Sequence, residues 1–274
     1  MRTFSLERRT AFISGAAGLL GRQHSIAICE AGGDVVVVDR DLQRLRALVV
    51  QLSGMFPERR IMHFDCDVSD ELAVSEMKAC LEKDGIHPSI LINNAAPNPK
   101  PIGREEDVDN SFENYSLSRW NLEIRDGLAS AFVCSKIFGA AMVNRAEGGS
   151  IINIASDLSV IAPDNRIYST DDMMFDARVS KPVTYSVSKT ALVGLTRYLA
   201  TYWARHRIRV NSLSPGGVIN NQDPDFVSRL ENRIPLGRMA KDDEYRGAIV
   251  FLASDASSYL TGQNVVMDGG RSVW

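Results

Sequence analysis

Tyr185 and Lys189 stand four positions apart in the run Tyr185-Ser186-Val187-Ser188-Lys189. On a helix, positions i and i+4 share a face, so this spacing brings a phenol and an ammonium to one site. A free tyrosine titrates near about 10 and is a poor base at neutral pH; a neighbouring cation favours the phenolate and brings it within range of proton transfer. Taken alone, such a pair often marks only an exposed helix face. Ser156, which closes the apolar run Ser150 to Ser156, adds a hydroxyl that can meet the pair at one edge of a sheet. Three convergent polar groups make an acid/base site.

A second chemical signal opens the chain. Ser14-Gly15-Ala16-Ala17-Gly18-Leu19-Leu20-Gly21 follows the apolar run 10–14 and precedes a helical pattern. In this strand-turn-helix setting Gly15 allows the tight turn and Gly18 lets backbone approach a pyrophosphate. Gly21 lets helix and strand pack closely, and Leu20 lies in the same turn at the helix N-terminus. Asp39 ends the next apolar run, where a carboxylate can accept from both hydroxyls of an adenosine ribose. It would repel a 2′-phosphate, which Arg40 beside it partly offsets, so the pattern favours NAD. Asp67 and Val68 follow the third run and are placed to flank an adenine; Asp67 serves equally well as a cap for the helix beginning near Ser69.

These residues need a scaffold that delivers them to one edge. Apolar, β-rich runs at 10–14, 34–39, 60–65, 89–94, 150–156, 208–214 and 264–268 alternate with helical patterns near 19–31, 41–53, 70–83, 112–145, 183–205 and 242–254. Short strands apolar on both faces belong to a parallel sheet covered by helices on both sides. The repeating order predicts an α/β, doubly wound Rossmann-type sheet of seven strands, with ligands beyond the strands' carboxyl ends. One domain, 1–274, is expected, with irregular insertions near 97–109 and 161–182, both longer than ordinary connections. Asn98, Arg104, Tyr168 and Gln222 are loop residues that could touch a hydroxylated substrate, or be plain solvated positions. The Met173-Met174-Phe175 cluster could serve as a substrate lid or as packing.

The chain of 274 residues carries 31 Lys plus Arg against 34 Asp plus Glu, a net charge of −3. With no basic block, the footprint of phosphate-backbone binding is missing, and nucleic acid is not an expected partner. No apolar run approaches the roughly 18 to 20 residues of a membrane span. Arg8-Arg9 before the apolar stretch 11–20 imitates an export signal, but the same residues supply the first strand and glycine turn, so the mature chain is expected to start near Met1. Cys29, Cys66, Cys80 and Cys134 are widely spaced, with no metal-ligand pattern, and read as reduced thiols in a cytoplasm. His24 and His63 have no acid or cysteine at useful spacing, and no metal site is expected.

Together the glycine turn, Asp39, Asp67-Val68, Asn93-Asn94-Ala95-Ala96, Ile152-Asn153-Ile154-Ala155-Ser156, the Tyr185-to-Lys189 run, Ser214-Pro215-Gly216-Gly217-Val218 and the C-terminal run 261–270 resemble the single-domain branch of the short-chain dehydrogenase/reductase family, in family order and over essentially the whole chain. The resemblance implies hydride transfer between a carbinol or carbonyl carbon and a nicotinamide. By it, Tyr185 is the general acid/base, Lys189 lowers its pKa and binds the nicotinamide ribose, and Ser156 hydrogen-bonds the reacting oxygen. Asn93 and Ala95 would lie along the cofactor, Pro215, Gly216 and Val218 would border the nicotinamide, and Asn220 stands where a threonine commonly helps to hold it. The resemblance also implies a homo-oligomer, a tetramer or dimer, with the 261–270 segment joining subunits.

Several positions depart from the family pattern. The turn has Ser14 and the GxxGxxG spacing more usual in the larger sugar-nucleotide-modifying branch, and Ala96 replaces a glycine. Gly127 falls where a catalytic-site asparagine normally keeps a helix irregularity; glycine permits such a kink but gives no side-chain hydrogen bond. Tyr185 follows Ser156 by 29 positions, about twice the usual separation, which makes 161–182 an insertion beside the site. The runs 92–100, 161–168, 214–226 and 254–270 resemble oxidoreductases of flagellin-modification loci linked to legionaminic-type sugars. The expected substrate is a polar alcohol or carbonyl of sugar type. Two other readings stay open: a sugar epimerase or dehydratase with bound NAD, and a non-catalytic nucleotide-binding scaffold.

Overall fold

Successive side chains of the central strands enter two different cores. In β1 (Thr10–Ser14) and β2 (Asp34–Asp39), Ala11, Ile13, Val35 and Val37 join one cluster, while Phe12, Val36 and Val38 join the other. That period of two is why these runs are apolar throughout: each face of the sheet needs its own buried residues. The computed structural model describes residues 2–96, 109–168 and 177–274.

The remaining strands are β3 (Ile61–Asp65), β4 (Ile90–Asn93), β5 (Gly149–Ile154), β6 (Ile208–Pro215) and β7 (Asn264–Met267). All neighbouring pairs run parallel, in the order β3-β2-β1-β4-β5-β6-β7. The expected seven-stranded, doubly wound sheet is therefore what forms. Its order reverses between β1 and β4, and a crevice opens there at the strands' carboxyl ends.

Helices α1 (Leu19–Glu30) and α2 (Leu42–Met55) cover one face, and α3 (Glu71–Lys83) the other. Asp41 caps α2 by accepting from the Arg44 amide at 3.0 Å, and Asp70 caps α3 by accepting from the Leu72 and Ala73 amides at 2.9 and 3.2 Å. The single helix expected over 112–145 begins later, after the Ser116 cap, and is interrupted: α4 (Leu117–Ile124) passes through a π turn at Arg125–Ala129 into α5 (Ser130–Arg145). The stretch Leu117–Arg145 is long and apolar enough to span a membrane, yet half of its most apolar window is buried within the protein, with α5 lying against β4 and α3. It is a core helix.

Helix α6 (Val183–Tyr202) follows, then α7 (Pro224–Glu231) and α8 (Arg246–Ala253), which joins α1 and α2 on the first face. The sequence pattern missed α7. Its signal was short but present: Asp223 caps it by accepting from the amides of Asp225 and Phe226 at 3.0 and 3.2 Å, and Pro224 occupies the first turn, where a missing N–H costs nothing.

Candidate active site

Every segment singled out for chemistry follows the carboxyl end of a strand, except the Tyr185 to Lys189 run, which begins α6. Gly15 turns at φ +61°, and a Cβ there would stand 2.7 Å from the Ala95 Cα. Gly21 is tighter still, since a Cβ would meet the Gly15 carbonyl oxygen at 2.2 Å; its part is close packing of α1 on the turn, and it does not line the cleft. Ser14, where the family commonly has threonine, ties the turn across the crevice by accepting from the Asn94 and Ala95 amides, each at 3.1 Å. Helix α1 begins at Gly18 with no side-chain cap, so its first-turn amides remain for a ligand at the cleft.

Asp39 braces this end. One carboxylate oxygen accepts from the Ala17 amide and the other from the Asp41 amide, both at 3.0 Å, which leaves acceptor capacity directed into the cleft. Arg40 is engaged by Asp126 at 3.2 Å. Asp67 and Val68 line the same end. Asp67 accepts from the amide and hydroxyl of Ser69 at 2.9 and 2.8 Å; it shapes the turn, while Asp70 does the capping. Partial burial pushes the Asp67 carboxyl up, but these hydrogen bonds and the charges of Arg125 and Arg40 hold it below the ordinary range.

Asn93 does not border the cleft. It is buried, and its amide donates to Ser135 Oγ at 3.0 Å and Asn153 Oδ1 at 2.8 Å, so its part is to fix β4 to β5 and α5. The following residues Asn94, Ala95 and Ala96 line the cleft instead, with Asn94 donating to the Gly15 carbonyl at 2.9 Å. Leu20, Pro215, Gly216, Val218 and Asn220 all line it as well. The cleft encloses about 1240 Å³, beyond the roughly 300–1,000 Å³ of a single small-ligand site, with room for a dinucleotide and a second molecule.

Ser156, Tyr185 and Lys189 come together at the other end of this cleft. Lys189 Nζ donates to the Ile154 carbonyl at 2.8 Å and lies 5.7 Å from the centre of the Tyr185 ring. Burial, helped by the charge of Lys181, pushes its ammonium down to about 8. The Tyr185 phenol is pushed up, by burial first and also by the charge of Asp157, and the neighbouring Ser156 hydroxyl works against this rise. The Ser156 hydroxyl donates to Asp157 Oδ1 at 2.8 Å. Thus the phenol is protonated at rest, and nearby cations must draw it toward phenolate.

Gly127 lies inside the π turn, where the Ser130 amide donates to the Arg125 carbonyl five residues back. The irregularity expected of this position is present without an asparagine. A small cavity beneath the catalytic pair is bordered by Gly127, Glu123, Thr184, Ser188 and Lys189. Glu123 accepts from Tyr115 Oη at 2.5 Å, from Arg119 Nε at 2.7 Å and from Thr184 Oγ1, which fastens α4 to the first turn of α6. Burial pushes the Glu123 carboxyl up, and these bonds more than reverse it, so the group sits below the ordinary range.

Sequence reasoning missed a buried ion pair beside the site. Asp157 Oδ2 meets Arg271 Nη1 at 2.7 Å, with side chains only 5% and 8% exposed. No local pattern links two residues this far apart in the chain. It also missed Lys181, whose Nζ stands 3.9 Å from the centre of the Tyr185 ring, and Arg229, which lines the cleft. Tyr168 lines it too and stacks on Phe226 at 5.5 Å. Gln222 spends its amide on its own turn, donating to the Val218 carbonyl at 2.7 Å and accepting from the Asn220 amide at 2.6 Å. Asn98, Arg104 and the 173–175 cluster lie outside the described residues.

A family model described as Enoyl-(Acyl carrier protein) reductase matches residues 15–272. The chain belongs to the short-chain dehydrogenase/reductase family, whose members are oxidoreductases that use a nicotinamide cofactor. It is 31% identical to the 2-dehydro-3-deoxy-D-gluconate 5-dehydrogenase of Dickeya dadantii, over 98% of each chain. It is 30% identical to the D-threitol dehydrogenase of Mycolicibacterium smegmatis, over 98% of this chain and 95% of that one. Among solved structures, a gluconate 5-dehydrogenase from Burkholderia cenocepacia in complex with NADP and tartrate superposes with a TM-score of 0.85 at 26% identity, covering 100% of this chain and 98% of that one.

Proposed function

We propose that the protein is a dehydrogenase of sugar-type alcohols, with Tyr185 as general acid/base, Lys189 as the cation that activates it and Ser156 as the hydrogen-bonding partner of the reacting oxygen. The observation that carries this reading is the meeting of these three groups at one end of a cleft whose other end holds the glycine turn and Asp39. A nicotinamide dinucleotide supplies the hydride acceptor or donor when bound. The uncapped first turn of α1 and the open carboxylate of Asp39 suit its pyrophosphate and adenosine ribose, with Gly15, Gly18, Leu20, Asp67, Val68, Ala95, Pro215, Gly216, Val218 and Asn220 along its length.

In the oxidative direction Tyr185 takes the carbinol proton while Ser156 steadies the same oxygen. Lys189, held by the Ile154 carbonyl, keeps positive charge beside the phenolate that accepts this proton. In the reductive direction the neutral phenol donates. The sugar-type substrate is supported by the relatives, whose names specify a sugar acid and a tetritol. Those relatives give no support to the flagellin-modification likeness, and it is not carried into the reading. The dehydrogenase names of the relatives favour a dehydrogenase over an epimerase or dehydratase, and the intact trio argues against a scaffold.

NAD is the preferred cofactor in this reading, since the Asp39 carboxylate would accept from the ribose hydroxyls and Arg40 is engaged by Asp126. Separate titrations with NADH and NADPH test it, and tighter binding of NADPH overturns it. A homo-oligomer in the cytoplasm completes the proposal. It is supported by exposed Phe132, Tyr198, Tyr202 and Trp274 and by four unpaired cysteines; sedimentation as a monomer counts against assembly. The catalytic assignment is tested by Tyr185→Phe. Turnover falls by about 10²- to 10⁴-fold while cofactor affinity persists; near-normal turnover refutes it.

A further inference from the structure

Among the described residues, Lys181 is a cation without an anion. Its Nζ lines the cleft and lies over the Tyr185 ring, and no carboxylate among the described residues reaches it within ion-pair distance. Asp157, whose charge it feels, is already committed to Arg271 at 2.7 Å and to the Ser156 hydroxyl and Leu158 amide, each at 2.8 Å. Burial pushes the Lys181 ammonium down to about 8, which still leaves it charged at neutral pH. The backbone is fixed where this side chain starts: the Lys181 amide donates to Asn165 Oδ1 at 3.2 Å, and Pro182 follows as the cap of α6. An ammonium carries three donors, and one aromatic face cannot satisfy them all.

Arg229 of α7 adds a second cation to the same cleft. Its Nε donates to the Ile167 carbonyl at 3.0 Å, and no acid among the described residues pairs with it. Activation of Tyr185 does not require this arrangement, because Lys189 already supplies a fixed cation. Holding a second ammonium out of water costs free energy that an anionic ligand would offset.

We propose that Lys181 binds a carboxylate of the substrate, so that the cleft takes hydroxy acids of the sugar-acid class in preference to neutral polyols. This rests on the dehydrogenase reading above and narrows its substrate class. Arg229 supports the same group or its hydration.

The test compares tartrate with threitol, four-carbon diols that differ in having carboxylates or carbinols at their ends. Each is titrated by calorimetry into cofactor-saturated protein. Tartrate should bind roughly 10- to 100-fold more tightly, the range of a charge-assisted hydrogen bond. In Lys181→Gln the ratio should collapse toward unity, and in Lys181→Arg most of it should return. If Lys181→Gln does not fold, the wild-type ratio and its fall in Arg229→Gln decide. Threitol binding as tightly as tartrate, or an unchanged ratio in the folded Lys181→Gln variant, overturns the proposal. Glycerol 3-phosphate binding more tightly than tartrate overturns the carboxylate assignment. These readouts need no turnover. Normal activity in Tyr185→Phe would defeat the catalytic reading while tartrate selectivity stood, and lost selectivity with an inactive Tyr185→Phe would do the reverse.

Discussion

In the half of the cleft proposed for adenosine, from Gly15 to Val68, the lining residues follow directly from the ends of β1, β2 and β3 or the first turn of α1. In the half proposed for substrate, Tyr168, Lys181, Arg229 and Arg271 come from a 3-10 turn, the approach to α6, α7 and the 3-10 turn at Arg271–Val273. The first half is positioned by backbone hydrogen bonds of the sheet, which any regular sequence of this type can make. The second depends on particular side-chain pairings. Cofactor binding and substrate choice should therefore respond differently to mutation.

The largest expected effect of breaking a pairing is in the substrate half. Arg271→Met leaves Asp157 buried without its partner, and denaturant unfolding should show a loss of about 3–5 kcal/mol. A change within about 1 kcal/mol of zero would mean that the pair contributes little beyond its own desolvation. In the adenosine half, Gly21→Ala drives a methyl against the Gly15 carbonyl and the Ala16 Cα, both backbone atoms that cannot step aside. About 3 kcal/mol of stability should be lost, together with NADH affinity measured by fluorescence titration.

Asp39→Ser removes charge while keeping a hydroxyl. The ratio of NADPH to NADH affinity should rise roughly tenfold, about 1.4 kcal/mol, and stability should fall by about 1 kcal/mol as one of the Ala17 and Asp41 amides loses its acceptor. The last effect is a slope, near zero at neutral pH and growing as the pH falls. His24 is fully buried with neither ring nitrogen partnered among the described residues, and burial lowers its pKa to about 3. The unfolded chain takes up this proton near pH 6.5 and the folded protein does not. The folded state is thus penalised by about 1.4 kcal/mol for each pH unit between 6.5 and about 3. In His24→Leu, unfolding midpoints between about pH 5 and 6.5 should lose that contribution; an unchanged slope would place it in other groups.

The same division explains what could be read from the sequence. Seven strands were legible because buried faces on both sides leave an apolar run that polar loops interrupt, and the glycine turn was legible because sterics leave few residues that fit. The spacing of Tyr185 and Lys189 is local to one helix. Asp157 with Arg271, and Asn93 with Ser135 and Asn153, are contacts between distant segments, so nothing in either partner's neighbourhood announces them. Asn93 illustrates the cost: an asparagine beside the cleft-lining run reads as a ligand contact, although it is spent on joining strands to a helix.

The π turn at Arg125–Ala129 has a consequence for any attempt to regularise this helix. A π turn holds one residue more than an α turn, and each α-helical residue advances the rotation by about 100°. Deleting a residue here would rewind everything on its N-terminal side by that angle. Glu123 would then swing off Thr184 and leave the start of α6 without its clasp. The extra residue acts as a phase shifter: it lets one continuous helix show the sheet one face after Ser130 and the catalytic helix another before Arg125.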